Sequence, residues 1–226
     1  MEPNELSELQ RQALAQEALR VYQRYEEEIV EGLSFCPFAE KARLDQQLSF
    51  RVHLGDNLES VAPLVEAVAA DDTIHVGLLI LPLSDRDRLQ HERFVAKLRE
   101  AHAAAHGGSP PLAMAPFHYE AEANLESAAK LVPFVRRTPD PTIQLVRISV
   151  LEALRAPFDE GTDFVDLSRV DLAAFLARPL KKPLHERIAQ TNLETVKRLG
   201  LEAVEARFQD IRKDRDRSYS SILASP

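Results

Sequence analysis

One cysteine, one histidine, three arginines and one asparagine stand where this sequence could do chemistry. Cys36 lies in Phe35-Cys36-Pro37-Phe38. Pro37 suits the first position of a helix, where its missing N–H costs nothing. A short helix over residues 37–42 is therefore predicted, with Cys36 at its N-cap. A thiolate there would be stabilised by free N–H groups and the helix dipole. Lys41 and Arg43 would help, and Glu40 would oppose. The competing reading is packing, because a cysteine between two phenylalanines also behaves as a small apolar residue. A Cys-Pro pair can ligate haem iron too, but nothing else in the sequence outlines a haem pocket.

His118 closes a predicted strand, a usual place for functional groups in an open α/β sheet. It could serve as general base, metal ligand or anion donor, or be a capping or core histidine with a satisfied ring. Arg136 and Arg137 precede the stiff turn Thr138-Pro139-Asp140-Pro141, and Arg147 follows it. Guanidinium groups presented from such a backbone can hold a carboxylate or phosphate through two bonds. They could equally pair with Asp140, Glu152 or other acids. Leu145, Val146, Ile148 and Val150 around Arg147 predict a buried stem. The expectation is that Arg137 and Arg147, assisted by Arg136, converge on one anion pocket beside His118, with Cys36 in reach of the same cavity. Asn192 could orient the ligand from the last long helix, or lie on that helix's surface.

His102 and His106 have the i, i+4 spacing of helical metal sites but lack the intervening glutamate. Followed by Gly107-Gly108, they read better as cations at an exposed helix end. No metal site is expected, and no cofactor is named by the sequence.

Composition narrows the partners. The formal net charge of -8 argues against general nucleic-acid binding. The mixed-sign run at residues 212–217 reads as a solvated helix end. A single cysteine excludes an internal disulfide framework and suits a reducing compartment. No apolar run approaches the roughly 20 residues of a membrane-spanning helix. Residues 1–5 are acidic and lack a charged-then-apolar signal pattern, so a cytoplasmic protein is expected. The seven glycines form no phosphate loop of either common type.

The elements that must position these residues follow from periodicity. Ala15, Ala18, Tyr22, Tyr25, Ile29 and Leu33 make one apolar stripe, predicting a helix over residues 6–33 that ends at Gly32. Strands are predicted over 48–54, 73–81 and 112–117, with the second central and flanked by the other two. Asn57 should cap a helix to residue 69, and Asp85 should start one to about 106. Residues 121–132 read as helical. Residues 142–154 read as a helix, or as a strand running into one. An edge strand over 162–167, a short helix from Ser168 and a joint over 178–183 are expected. A long last helix over 184–211 should bend near Gly200. The order predicts a single α/β domain over residues 1–226, a layered sandwich whose small mixed sheet is covered by the long N- and C-terminal helices.

At these motifs the chain resembles an uncharacterised bacterial family, domain of unknown function 1415. Gly32-Leu33-Ser34-Phe35-Cys36-Pro37-Phe38-Ala39 is similar to that family's Gly-Leu-Asn-Leu-Cys-Pro-Phe-Ala element. Phe117-His118 matches the start of its Phe-His-Pro-Asp-Tyr element. Arg137-Thr138-Pro139-Asp140-Pro141 and the following Leu145-Val146-Arg147 resemble its Arg-Ser-Pro-Tyr-Pro turn and the Leu-Leu-Arg after it. Asn192 and Arg198-Leu199-Gly200 resemble its C-terminal elements. Three positions depart: Tyr119-Glu120 replaces Pro-Asp, Gln144 replaces a second histidine, and Ile148 replaces a glutamate. The resemblance implies a divergent member, and attaches no activity.

Together these readings predict a cytoplasmic enzyme, or a protein derived from one, acting on a small anionic metabolite or peptide carboxylate. Cys36 and His118 would be catalytic; Arg136, Arg137, Arg147 and Asn192 would bind the substrate. The alternative is a non-catalytic module that binds a small molecule or a protein.

Overall fold

The computed structural model describes residues 5–155 and 183–224. Helix α1 (Glu8–Tyr25) starts at a capping box. The Ser7 hydroxyl accepts from the Gln10 N–H at 3.2 Å, and the Gln10 side chain accepts from the Ser7 N–H at 2.9 Å. Leu14, Ala18, Val21, Tyr22 and Tyr25 form its buried stripe. The helix continues as a π-helical segment, Glu26–Glu31, ending at Gly32 as expected. Glycine is needed there for space, since a Cβ would lie 2.7 Å from the Glu28 carbonyl oxygen.

Helix α2 (Ala39–Leu44) begins two residues later than the sequence predicts, with Phe38 and not Cys36 at its N-cap. Strand β1 (Leu48–Val52) leads to α3 (Leu58–Ala69), capped by Asn57 as expected: its side chain accepts from the Ser60 N–H at 2.9 Å. Strand β2 (Val76–Ile80) precedes α4 (Arg88–Ala105), whose cap is Asp87. Strand β3 (Leu112–Phe117), α5 (Ala128–Val135), strand β4 (Thr142–Arg147) and α6 (Ile148–Arg155) complete the first described stretch. The 142–154 stretch is thus a strand running into a helix. The last helix divides at Gly200, which has φ 88, into α7 (Leu184–Leu199) and α8 (Leu201–Ala224). The expected strand over 162–167, the helix from Ser168 and nearly all of the joint over 178–183 lie outside the described residues.

The sheet is small and mixed, in the order β1-β2-β4-β3. Strands β1 and β2 are parallel, and β4 runs antiparallel to both β2 and β3. This corrects one expectation: β2 is flanked by β1 and β4, and β3 is displaced to the edge. The chemistry of β3 explains it. Pro116 has no N–H to give a second neighbour and belongs on an edge strand. β4 carries Ile143 and Leu145 fully buried on one side and can sit inside.

Strand β2 sends its side chains into two cores. Leu78 and Ile80 pack under α1, α5, α7 and α8 with Tyr22, Tyr25, Leu131, Phe134, Val196 and Phe208. Leu79, and Leu81 just after the strand, pack under α3 and α4 with Val61, Val65, Val95 and Leu98. Helices thus cover both faces, giving the α/β sandwich expected from the sequence. Each such fully buried side chain contributes about 1.5–3 kcal/mol, so α1 and α8 are bound to the sheet mainly by this apolar contact. Polar groups fix the docking geometry. Asp140, buried in its Pro-x-Pro turn, accepts from Arg215 at 2.8 Å and from the Tyr219 hydroxyl at 2.7 Å, both on α8.

Among the described residues no helix is long and apolar enough to cross a membrane.

Candidate functional site

A cavity of about 840 Å³ lies on the α1 face of the sheet. Its walls are the C-terminal end of α1, the 35–39 segment, the exposed flank of α5 and the first turns of α7, over a floor of Leu48, Val76, Leu78 and Gln144. The size suits a ligand larger than an inorganic ion. Aliphatic and aromatic side chains dominate, and polar groups interrupt them: Glu26, Cys36, Arg136, Gln144 and, from α7 and the start of α5, His185, Glu186, Gln190, Asn192 and Ser127.

Glu26 opens the π-helical segment that ends this wall. Gly32 N bonds Glu27 O at 3.0 Å and Phe35 N bonds Val30 O at 2.9 Å, the five-residue pattern of a widened turn. Tyr22, Glu26 and Val30, at four-residue spacing, line the cavity along this stretch. Burial pushes the Glu26 carboxyl up to about 7; Glu31 adds to the rise, and Arg43 opposes it. Among the described residues no cation pairs with Glu26.

Cys36 reaches the same cavity from the turn before α2. Burial pushes its thiol up; the N–H groups of Phe38 and Ala39 pull the other way, and the Glu26 charge adds to the rise. The sulfur therefore keeps the backbone donors expected of a helix start, but stays a thiol near neutral pH.

Arg136 is the C-cap of α5. Its guanidinium lies 5.5 Å over the Phe117 ring, and burial lowers its pKa. Among the described residues no carboxylate pairs with it. Opposite, Asn192 on α7 is buried. Its Nδ2 donates to the Phe35 carbonyl at 3.1 Å, while its Oδ1 is buried without a partner among the described residues.

Cys36, Phe117, Gln144 and Asn192 come from four separate elements that carry the family resemblance, and they meet at this one cavity. The chain belongs to the family described as Protein of unknown function (DUF1415), which matches residues 17–166. No curated protein and no solved structure matches the chain. The matched span of this DUF1415 chain carries Glu26, Cys36, Arg136 and Gln144; the α7 wall, with His185 and Asn192, lies beyond it.

Of the residues singled out in sequence, Cys36, Arg136 and Asn192 line the cavity, and His118, Arg137 and Arg147 do not. The expected meeting of Cys36 with His118 is corrected by strand alternation. Phe117 lines the cavity, so the next side chain leaves by the other face. His118 has both ring nitrogens engaged: Nδ1 accepts from the Glu120 N–H at 3.2 Å, and Nε2 donates to Arg86 O at 3.0 Å. Its ring stacks on Tyr119 at 4.3 Å, and burial lowers its pKa.

The expected convergence of Arg137 and Arg147 is corrected as well. Arg137 donates to Tyr119 O at 2.9 Å, pairs with Glu205 at 3.1 Å and faces a separate cavity of about 220 Å³ beside Arg212. Arg147 is buried as predicted, but against the opposite layer. It gathers the carbonyls of Val68, Asp71 and Ile74 at 3.2, 2.7 and 3.1 Å and pairs with Asp72 at 3.0 Å, closing the C-terminal end of α3. Its buried charge is answered by backbone oxygens and an acid, which is the compensation such a group requires.

Sequence reasoning passed over Glu26. Its signal was present, because Glu26 falls four residues after Tyr22 on the stripe that runs on to Ile29 and Leu33. A lone carboxylate on an apolar stripe is the kind of buried polar group that calls for a reason.

Proposed function

We propose that the cavity between α1, α5 and α7 binds a small organic acid with an apolar body, its carboxylate on Arg136. The observation that carries this reading is the isolated guanidinium: Arg136 is largely buried in an apolar wall, without a carboxylate partner among the described residues. Desolvating a charge without compensation is costly, and a ligand carboxylate supplies the compensation. Asn192 supports the reading, with a buried Oδ1 that has no partner among the described residues and could accept from a ligand hydroxyl or amide. Leu48, Val30, Phe35 and Val132 would hold the apolar body.

A second reading, that the site also transforms its ligand, is favoured by Glu26. A carboxyl that titrates near 7 can take or give a proton at working pH. Cys36 beside it is the available sulfur nucleophile, and Glu26 is better placed than His118 to act as its base. In this form the protein is an enzyme or descends from one. The same reading puts it in a bacterial cytoplasm, where a single free cysteine stays reduced.

A crystal structure with a medium-chain carboxylate tests the proposal. The expected density has the acid group on the Arg136 guanidinium and the chain against Leu48 and Val132. An empty cavity at saturating ligand, or an acid group bound away from Arg136, would overturn it.

A further inference from the structure

On the other face of the sheet, α3 and α4 bring three donor side chains together. Glu66 of α3 lies between His102 of α4 and His106, the C-cap of that helix. Its Oε1 is 2.6 Å from His102 Nδ1, and its Oε2 is 2.8 Å from His106 Nε2. The imidazoles meet edge to face with centroids 4.6 Å apart. One nitrogen from each histidine and a carboxylate oxygen all lie within 4.8 Å of one another. The sequence suggested exposed helix-end cations here. Instead His102 is buried, and its spacing to His106 serves a shared acid that only tertiary packing supplies.

We propose that Glu66, His102 and His106 form a binding site for a divalent transition-metal ion of the zinc class, with one coordination position left open. Two imidazole nitrogens and one carboxylate oxygen are a borderline donor set that suits zinc; calcium and magnesium demand more oxygens. Three protein ligands with a free fourth position are the arrangement of reactive rather than purely structural zinc sites. Tetrahedral zinc with bonds of about 2.0–2.1 Å keeps its ligand atoms roughly 3.4 Å apart. The ion would therefore replace the two histidine–carboxylate hydrogen bonds and draw one Glu66 oxygen and the two ring nitrogens, now within 4.8 Å of one another, to that spacing.

The surroundings fit an open position. His106 and Glu66 keep a third or more of their side-chain surface in solvent, whereas His102 is enclosed. A groove of about 300 Å³ runs beside the cluster between α3 and α4, lined by Glu66 and His102 and kept shallow by Ala62, Pro63, Ala101 and Ala105. A water or a small ligand on the fourth position would stand in that groove. The α3–α4 layer lies across the sheet from Arg136, so this site is independent of the organic-acid cavity.

The experiment uses the full-length, untagged chain, stripped with a chelator and titrated with Zn²⁺ alone in a calorimeter. One Zn²⁺ per chain is expected. Glu66→Gln and His106→Gln should each weaken it by about tenfold or more. Both residues are partly exposed, and circular dichroism checks that the variants fold. Excess Mg²⁺ should not compete. Co²⁺ in place of Zn²⁺ should give the visible absorption of a four- or five-coordinate ion, lost in both variants. Failure of the wild type to take up stoichiometric Zn²⁺ would overturn the proposal. So would binding, or a cobalt spectrum, that both folded variants retain.

Discussion

The side-chain amide of Asn192 donates to the carbonyl of Phe35 at 3.1 Å across 157 residues of sequence. This bond fastens α7 to the strip that carries Cys36, and so holds two walls of the cavity together. It also fixes the amide's orientation, which leaves Oδ1 on the buried side, without a partner among the described residues. Asn192→Leu strands the Phe35 carbonyl and should destabilise the fold by about 1–3 kcal/mol in urea unfolding. An unchanged midpoint would mean the two walls are held by apolar packing alone.

Glu26 makes stability depend on pH. Its folded value near 7 lies above the ordinary carboxyl value of 4.5, so the folded state holds the proton more tightly than the unfolded one. The contribution is full below about 4.5 and is lost as pH rises through 7. Glu26→Gln should therefore leave stability nearly unchanged at pH 5 and raise it at pH 8, by on the order of 3 kcal/mol. Melting curves of both proteins at the two pH values give the answer. Equal gains at both would show that Glu26 is not protonated in the fold.

Cys36 should alkylate slowly at neutral pH, because burial and the Glu26 charge favour the thiol over the thiolate. Iodoacetamide should modify it more slowly than a free thiol at pH 7.5. Glu26→Gln should speed the reaction, and a bound organic acid should protect against it. Reaction faster than that of a free thiol would show an activated cysteine and favour the catalytic form of the proposal.

Arg147→Met should destabilise by roughly 3 kcal/mol, since it removes the donor shared by the Val68, Asp71 and Ile74 carbonyls. It should leave organic-acid binding unaltered once the variant is folded. Loss of binding without loss of stability would return Arg147 to the anion site that the sequence suggested for it.

What the sequence disclosed was local. Asn57 as a cap, Gly32 as an end, Gly200 as a break and the two-faced run of β2 were all legible from residue type and period. Strand order was not, because β4 reaches β2 through a long-range pairing that periodicity does not encode. Pro116 carried the one available hint that β3 is an edge. At the site, Asn192 was found through the family resemblance, and Cys36 and Arg136 because each interrupts apolar sequence. His118, Arg137 and Arg147 also interrupt it, yet each spends its polar atoms on backbone carbonyls, N–H groups or acids of its own fold. Which of two adjacent arginines faces the larger cavity depends on where α5 ends, and the sequence placed that end three residues early. Glu66 could join the histidines of α4 only once α3 was packed beside them.

The most direct test of the organic-acid site is a calorimetric comparison of octanoate with octanamide, a neutral ligand of nearly the same shape, on wild type and Arg136→Met. A charge-assisted contact of roughly 1.5–3 kcal/mol corresponds to about 10- to 100-fold in affinity. Wild type should therefore prefer the acid by at least about tenfold, and Arg136→Met should lose that preference while still binding the amide. Equal affinity of wild type for acid and amide, or an acid preference that survives in Arg136→Met, would contradict the assignment of this cavity.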